Sequence, residues 1–126
     1  MFFLKACRFL FFQFVPDIMW TFNISFFVEP AGEERLLSYI RSSLLPVLIN
    51  ESSAICNPAL KKVVETGGDY NPEETGVSIA LSVDFLSKEE AYEWHGNVLL
   101  PALKDFNTEA DSNALFLITF LERLEL

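Results

Sequence analysis

Residues 77–94, VSIALSVDFLSKEEAYEW, contain the transition that decides the fold. From Val77 to Phe85, apolar side chains at every second position alternate with Ser, Ala and Asp. This period of two predicts a strand with one buried face. Directly after it, Ser87 is followed three residues later by Glu90, which is the pattern of a capping box. The stretch therefore predicts a half-buried strand that leads into a helix running to about residue 106.

A strand followed by a helix also precedes this stretch. Residues 20–28, WTFNISFFV, alternate in the same way, except that Phe27 places an aromatic ring on the polar side. Residues 33–50 begin with two glutamates and repeat apolar side chains every three or four positions, which predicts an amphipathic helix. Pro46 lies inside this helix as Pro101 lies inside the later one. A proline removes a backbone donor, so we expect a kink or a broken last turn before it.

Two more strands complete the pattern. One is expected within residues 54–65, where Pro58 restricts the first half to an edge, a bulge or a loop. The last is expected over residues 114–126 and is apolar on both sides, which predicts burial on both faces. The order βαββαβ predicts the α+β ferredoxin-like sandwich, a four-stranded antiparallel sheet with two helices on one face.

Composition limits the range of functions. The 126 residues and the 51% apolar content suffice for one domain with one core. Nine Lys and Arg against 18 Asp and Glu give a net charge of −9, which disfavours nucleic-acid binding. Cys7 and Cys56 form no CxxC pair, so we expect two unpaired thiols and, from them, a reducing, cytoplasmic location.

The first 18 residues, MFFLKACRFLFFQFVPDI, show neither the period of two of a strand nor the three-to-four-residue period of a helix. A signal peptide would need small residues at a cleavage site, and a membrane span would need about 20 apolar residues. Three interpretations stay open: translation from upstream of a true start at Met19, an export or membrane-surface segment, and an extra structural element. We expect the first, with residues 1–18 dispensable for folding, residues 19–126 as the domain, and no membrane association.

The apolar character of the last strand bears on assembly. Two helices cover one face of such a sheet, and the other face would expose Phe27, Phe116, Ile118 and Phe120 to water. A patch of this kind typically marks an interface. We therefore predict a homodimer joined through the sheet faces, with these four residues as the candidate interface. The alternative is a monomer in which the Phe-rich N-terminal segment covers the same face.

Short motifs in residues 19–126 resemble a small bacterial family of domains of unknown function, itself similar to the dimeric α+β barrels of ferredoxin-like fold. The matching motifs are Met19–Asn23, Leu45–Leu48, Gly76–Ile79, Pro101–Leu103 and Leu121–Glu122. The resemblance implies a start at Met19. Members of that family often carry a His just before a helix proline, where this chain has two leucines. No metal or acid–base role of those histidines is therefore transferred.

Candidate chemistry is sparse. His95 is the only histidine and has only nearby carboxylates such as Glu89 and Glu93 as companions in sequence, so no catalytic residue, metal site or cofactor is predicted. The glycine-rich connection at residues 66–76 lacks the lysine of a phosphate loop. Two of the predicted strands carry small polar residues on one side: Thr21, Asn23, Ser25, Ser78, Ser82 and Asp84. These side chains could line a ligand cavity or pack in a hydrated dimer interface, and we favour the interface.

Two classes of function follow. The first is a non-catalytic dimeric binding or regulatory module with an unidentified small ligand. The second is an oxygenase- or isomerase-like enzyme, which would need a pocket between sheet and helices around His95, Trp94 or Tyr39. The lack of a paired acid–base set favours the first class.

Overall fold

The computed structural model describes residues 19–50, 54–64, 76–106 and 114–126. Its elements are β1 (Trp20–Val28), α1 (residues 33–50), β2 (Cys56–Lys62), β3 (Val77–Phe85), α2 (residues 88–102) and β4 (Leu115–Glu122). The strands form one antiparallel sheet in the order β2-β3-β1-β4. The predicted βαββαβ order and the ferredoxin-like fold are confirmed. The expectations for residues 1–18 and for the connection at 66–75 lie outside the described residues.

Both helices continue past their prolines by means of a π-helical turn. In α1 the turn Ile40–Leu44 separates the α-helical segments Glu33–Tyr39 and Leu45–Asn50. In α2 the turn His95–Leu99 separates Lys88–Trp94 from Leu100–Ala102. A proline lacks an N–H, and its ring clashes with the carbonyl four residues before it in a regular α-helix. The wider π turn before each proline accommodates it, so α1 continues to Asn50 without a broken turn, whereas α2 ends at Ala102, directly after Pro101 and before the predicted end near residue 106.

The hydrogen bonds that close these two turns span five residues. The N–H of Leu45 donates to the oxygen of Ile40, and the N–H of Leu100 donates to the oxygen of His95. Leu44 and Leu99, the last residues of the turns, are both buried. The two halves of the fold therefore share one local solution to a proline inside a helix.

The N-terminus of α2 forms as predicted. Ser87 is the N-cap, and its Oγ accepts a hydrogen bond from the backbone N–H of Glu90 at 3.1 Å. This bond satisfies one of the backbone donors that the first helical turn leaves open. The strand β3 therefore passes directly into α2 across two residues.

The core lies between the sheet and the two helices. On β1 and β3 every apolar residue of the alternating pattern except Trp20 is buried. The helices contribute their apolar stripes, with Leu36, Leu44, Leu48 and Leu99 among the buried residues. Every buried side-chain nitrogen or oxygen in the described part of the chain has a hydrogen-bond partner. No helix among the described residues is long and apolar enough to span a membrane.

Within the described residues of one chain, β4 is not buried on both faces. The strand lies at the edge of the sheet beside β1, and no described strand pairs with its outer side. Five of its eight residues are exposed, with apolar side chains among them on both faces. Apolar character on both sides therefore does not reflect burial on both sides in the described chain.

Cys56 also differs from the expectation. It is buried at the start of β2 beside Met19, and it is disulfide-bonded rather than a free thiol. The chain's other cysteine, Cys7, lies outside the described residues. The argument from unpaired thiols to a reducing compartment therefore does not hold, and the cytoplasmic location stays a prediction.

Candidate functional site

The strand register defines the face of the sheet that the helices leave open. Thr21 pairs with Asp84 on one side and with Leu121 on the other, and this register continues without a shift to the far end of β1. Side chains of paired residues point to the same face. The open face therefore carries the residues of β1, β3 and β4 that lie in register with Thr21, Asn23, Ser25 and Phe27.

One half of this face is an apolar strip. We use this name for Phe27, Leu115, Leu117 and Leu121, which are 41%, 67%, 59% and 47% exposed. Phe27 pairs directly with Leu115 across the β1–β4 ladder, and Thr119 is the single polar residue between Leu117 and Leu121. An exposed group of four large apolar side chains on one face is typical of a contact surface.

The predicted interface set needs a correction. Phe27 lies on the open face, but Phe116, Ile118 and Phe120 pair with Phe26, Ile24 and Phe22, whose side chains face the helices. Ile118 and Phe120 pack against the core, and Phe120 stacks on Phe22 with ring centroids 4.3 Å apart. Because β4 is apolar on both sides, alternation alone could not assign its faces. The members missed on the open face are Leu115, Leu117 and Leu121.

The other half of the open face is a polar strip, which we define as Thr21, Asn23, Ser25, Ser78, Ser82 and Asp84. The structure brings these predicted residues together on adjacent strands. Asp84 is held at both carboxylate oxygens. The Thr21 hydroxyl donates to Oδ1 at 2.5 Å, and Asn57 Nδ2 donates to Oδ2 at 3.2 Å. The Asn23 amide donates to the Ser25 hydroxyl at 2.9 Å. Fixed hydroxyls beside one carboxylate can bind water or a small polar ligand.

Asn57 is a residue of this site that sequence reasoning missed. It lies where the β2–β3 register shifts between Cys56 and Ala59, and its φ is +50°. Asparagine tolerates this left-handed conformation better than most residues. The bulge turns its side chain towards Asp84, so the irregularity that Pro58 predicted also positions a donor.

The residues named for an enzyme pocket make packing contacts between the sheet and the helices. His95 is half-buried and stacks on Phe22 with ring centroids 5.0 Å apart and planes at 9°. Trp94 is buried and donates its Nε1–H to the oxygen of Leu48. Tyr39 is buried edge-on against Phe106. The part of the chain that the structure describes contains no group of three His, Cys, Asp or Glu residues placed to hold a metal ion.

The overall fold is similar to that of several solved structures. A hydroxynitrile lyase from Passiflora edulis superimposes with a TM-score of 0.60 at 12% identity, over 88% of this chain and 97% of that one. An ethyl tert-butyl ether d (EthD) family protein from Bacillus halodurans gives 0.56 at 12%, over 85% and 99%. A dimeric ferredoxin-like protein from an uncultured marine organism gives 0.55 at 13%, over 86% and 97%.

No protein-family model and no curated protein matches the sequence. At identities this low, the structural likeness establishes the fold and does not transfer an activity. The resemblance to the dimeric ferredoxin-like proteins is confirmed at that level.

Proposed function

We propose that this protein is a homodimeric binding module without a catalytic centre, in which the open faces of two sheets pack together. The exposed apolar strip carries this proposal. Phe27, Leu115, Leu117 and Leu121 present one row of apolar side chains on a chain whose net charge is −9. Packing the row against its copy removes it from water, with about 25 cal/mol gained for each Å² of apolar surface buried.

The dimensions of the face are adequate for a stable contact. Four strands about 4.8 Å apart and about eight residues long at about 3.3 Å each give a face of about 500 Å². Two such faces in contact bury on the order of 1,000 Å² or more, which is where specific interfaces begin. A twofold axis that lies between the two sheets and parallel to them brings the same patch of each copy together.

The polar strip then lies inside the dimer beside the apolar one. Thr21, Ser82 and Asp84 would keep water there or bind a small polar ligand that donates hydrogen bonds to the carboxylate. An acid–base enzyme would need a base held by an orienting partner, whereas His95 is stacked on the apolar ring of Phe22. These contacts favour binding over catalysis.

Light scattering on the full chain at low micromolar concentration tests the dimer. We expect about twice the chain mass of 14.4 kDa. Phe27→Asp should reduce this to the monomer mass, because the dimer would bury an unpaired charge. Phe27 is the test position because its side chain lies on the open face, whereas the side chain of Ile118 faces the helices.

Leu100→Asp is the matched control. Leu100 is a large apolar residue, 47% exposed, and it lies on α2 away from the sheet face. We expect it to leave the mass unchanged. A monomer mass for the unmodified chain, or equal dissociation by both substitutions in folded protein, would refute the dimer through the open face.

A further inference from the structure

The outer edge of β4 presents a defined set of backbone groups. The N–H of Arg123 donates to the oxygen of Met19 at 2.9 Å, so residues 19 and 123 form a hydrogen-bonded pair. In an antiparallel ladder such pairs recur at every second residue, and the residues between them direct N–H and C=O to the other side. The β1–β4 register has no shift. Phe116, Ile118 and Phe120 therefore direct their backbone groups away from β1, to an edge on which no strand lies in residues 19–50, 54–64, 76–106 or 114–126.

The two edges of the sheet differ in how they are protected. The opposite edge, β2, carries Pro58, two lysines at 61 and 62, and the bulge at Asn57. These are the features that prevent one strand edge from pairing with another. Residues 115–121 of β4 read LFLITFL, without a charge, a proline or a register shift. Among the described strands, one edge of the sheet is blocked, and the other is regular, apolar and unpaired.

We infer that β4 is a second self-association site, at which the β4 strands of two copies pair antiparallel and join two sheets into one. The pairing is centred on Ile118, the middle of the three outward residues, and it places Phe116 opposite Phe120 of the partner. This inference goes beyond the face-to-face dimer, because it uses the backbone edge of β4 and not the open face. With both contacts formed and their two twofold axes perpendicular and intersecting, the assembly closes at four chains.

A second copy suits this edge because the strand is self-complementary. In the register centred on Ile118, Glu122 lies opposite the apolar Ala114 of the partner, and the two glutamates lie at opposite ends of the pair. A parallel pairing would instead bring the glutamates together, and like charges opposite each other destabilise a ladder. The facing aromatic pair and the central Ile118 match the partners that cross-strand packing favours.

Amide hydrogen exchange measured by NMR on the full chain distinguishes pairing at the β4 edge from contact through the open face. We expect the amides of Phe116, Ile118 and Phe120 to exchange about tenfold or more slowly at high concentration than at low, as the edge becomes paired. The amides of Leu117 and Thr119 bond to β1 and should be protected at both concentrations. Fast exchange of the outward amides at about 1 mM, where even weak self-pairing is populated, would overturn the inference. Full protection at a concentration where light scattering gives no more than the mass of two chains, in the Phe27→Asp variant no more than one, would also overturn it, because a segment of the same chain would then cover the edge.

Ile118→Pro removes an outward N–H and leaves the bonds to β1 in place, whereas Ile118→Val keeps the N–H and serves as the control. We expect the proline variant to lose the four-chain assembly and to retain the face-to-face dimer. Phe27→Asp, which is expected to be a monomer at low micromolar concentration, should do the reverse at about 1 mM and leave pairs that associate through β4. A further outcome is that Phe27→Asp leaves the assembly mass unchanged while the exchange of the outward amides still slows as the concentration rises. In that case the proposed open-face dimer fails and the edge site stands. The exchange measurement on the unmodified chain decides the question if the proline variant does not fold.

Discussion

The indole Nε1 of Trp94 donates a hydrogen bond to the main-chain oxygen of Leu48 at 3.2 Å. Both residues are buried, and the bond joins α2 to α1 above the sheet. Tryptophan in a core needs a partner for its N–H, and a helix carbonyl near the end of α1 provides one. The bond therefore fixes how the two helices lie against each other.

Trp94→Phe should destabilise the fold. It removes the donor to Leu48 and part of the buried ring surface, and we expect the free energy of unfolding to fall by about 1–3 kcal/mol. Urea denaturation measures this loss. Tyr92→Phe is the control, since Tyr92 is exposed on the same helix and should lose less than about 0.5 kcal/mol. Equal losses in the two variants would argue against the role of the buried bond.

Asp84→Ala should loosen β2. The substitution leaves the hydroxyl of Thr21 and the side-chain amide of Asn57 without their acceptor. We expect a loss of about 1–2 kcal/mol, reduced from the value for buried charged bonds because Asp84 is partly exposed. Amide exchange in β2 should become faster, because the bulge at Asn57 is no longer held. Ser82→Ala, two residues away on the same face, should leave β2 exchange unchanged, and a similar effect of both variants would contradict the prediction.

His95→Ala should fold and assemble normally. Loss of the stack on Phe22 is expected to cost about 0.5–1.5 kcal/mol, and His95→Phe should recover most of it because a phenyl ring can stack in the same place. The prediction that His95 binds no metal or haem is tested by titration with each, followed by absorption spectroscopy. Stoichiometric binding that disappears in the Ala variant would overturn it.

Reduction should destabilise the oxidised protein through Cys56. A disulfide restricts the unfolded chain, and its loss typically costs about 2–4 kcal/mol. We expect a reducing agent to lower the melting temperature of the unmodified chain and to leave that of Cys56→Ser unchanged. A melting temperature of the unmodified chain that does not respond to reduction would contradict this expectation.

Much of the architecture could be predicted from local patterns. The alternation in β1 and β3 identified which side chains enter the core, because a strand exposes its two faces at successive residues. Ser87 and Glu90 located the start of α2, since a cap acts within one turn. Pro58 indicated an irregular edge strand, and β2 is one. The dispensability of residues 1–18 stays a prediction, and the disulfide at Cys56 limits it, because the deletion also removes Cys7, the second of the two cysteines.

The tertiary structure alone decided the candidate site. LFLITFL has no polar face, so its sequence could not show that Leu117 is on the open face and Ile118 on the helix side. Its pairing with β1 assigns the faces, because a shift of one residue would exchange them. The same holds for Asp84 and Asn57, which lie 27 residues apart and meet only through the β2–β3 bulge. Periodicity determines which residues can share a face, whereas the register between distant strands determines which of them do.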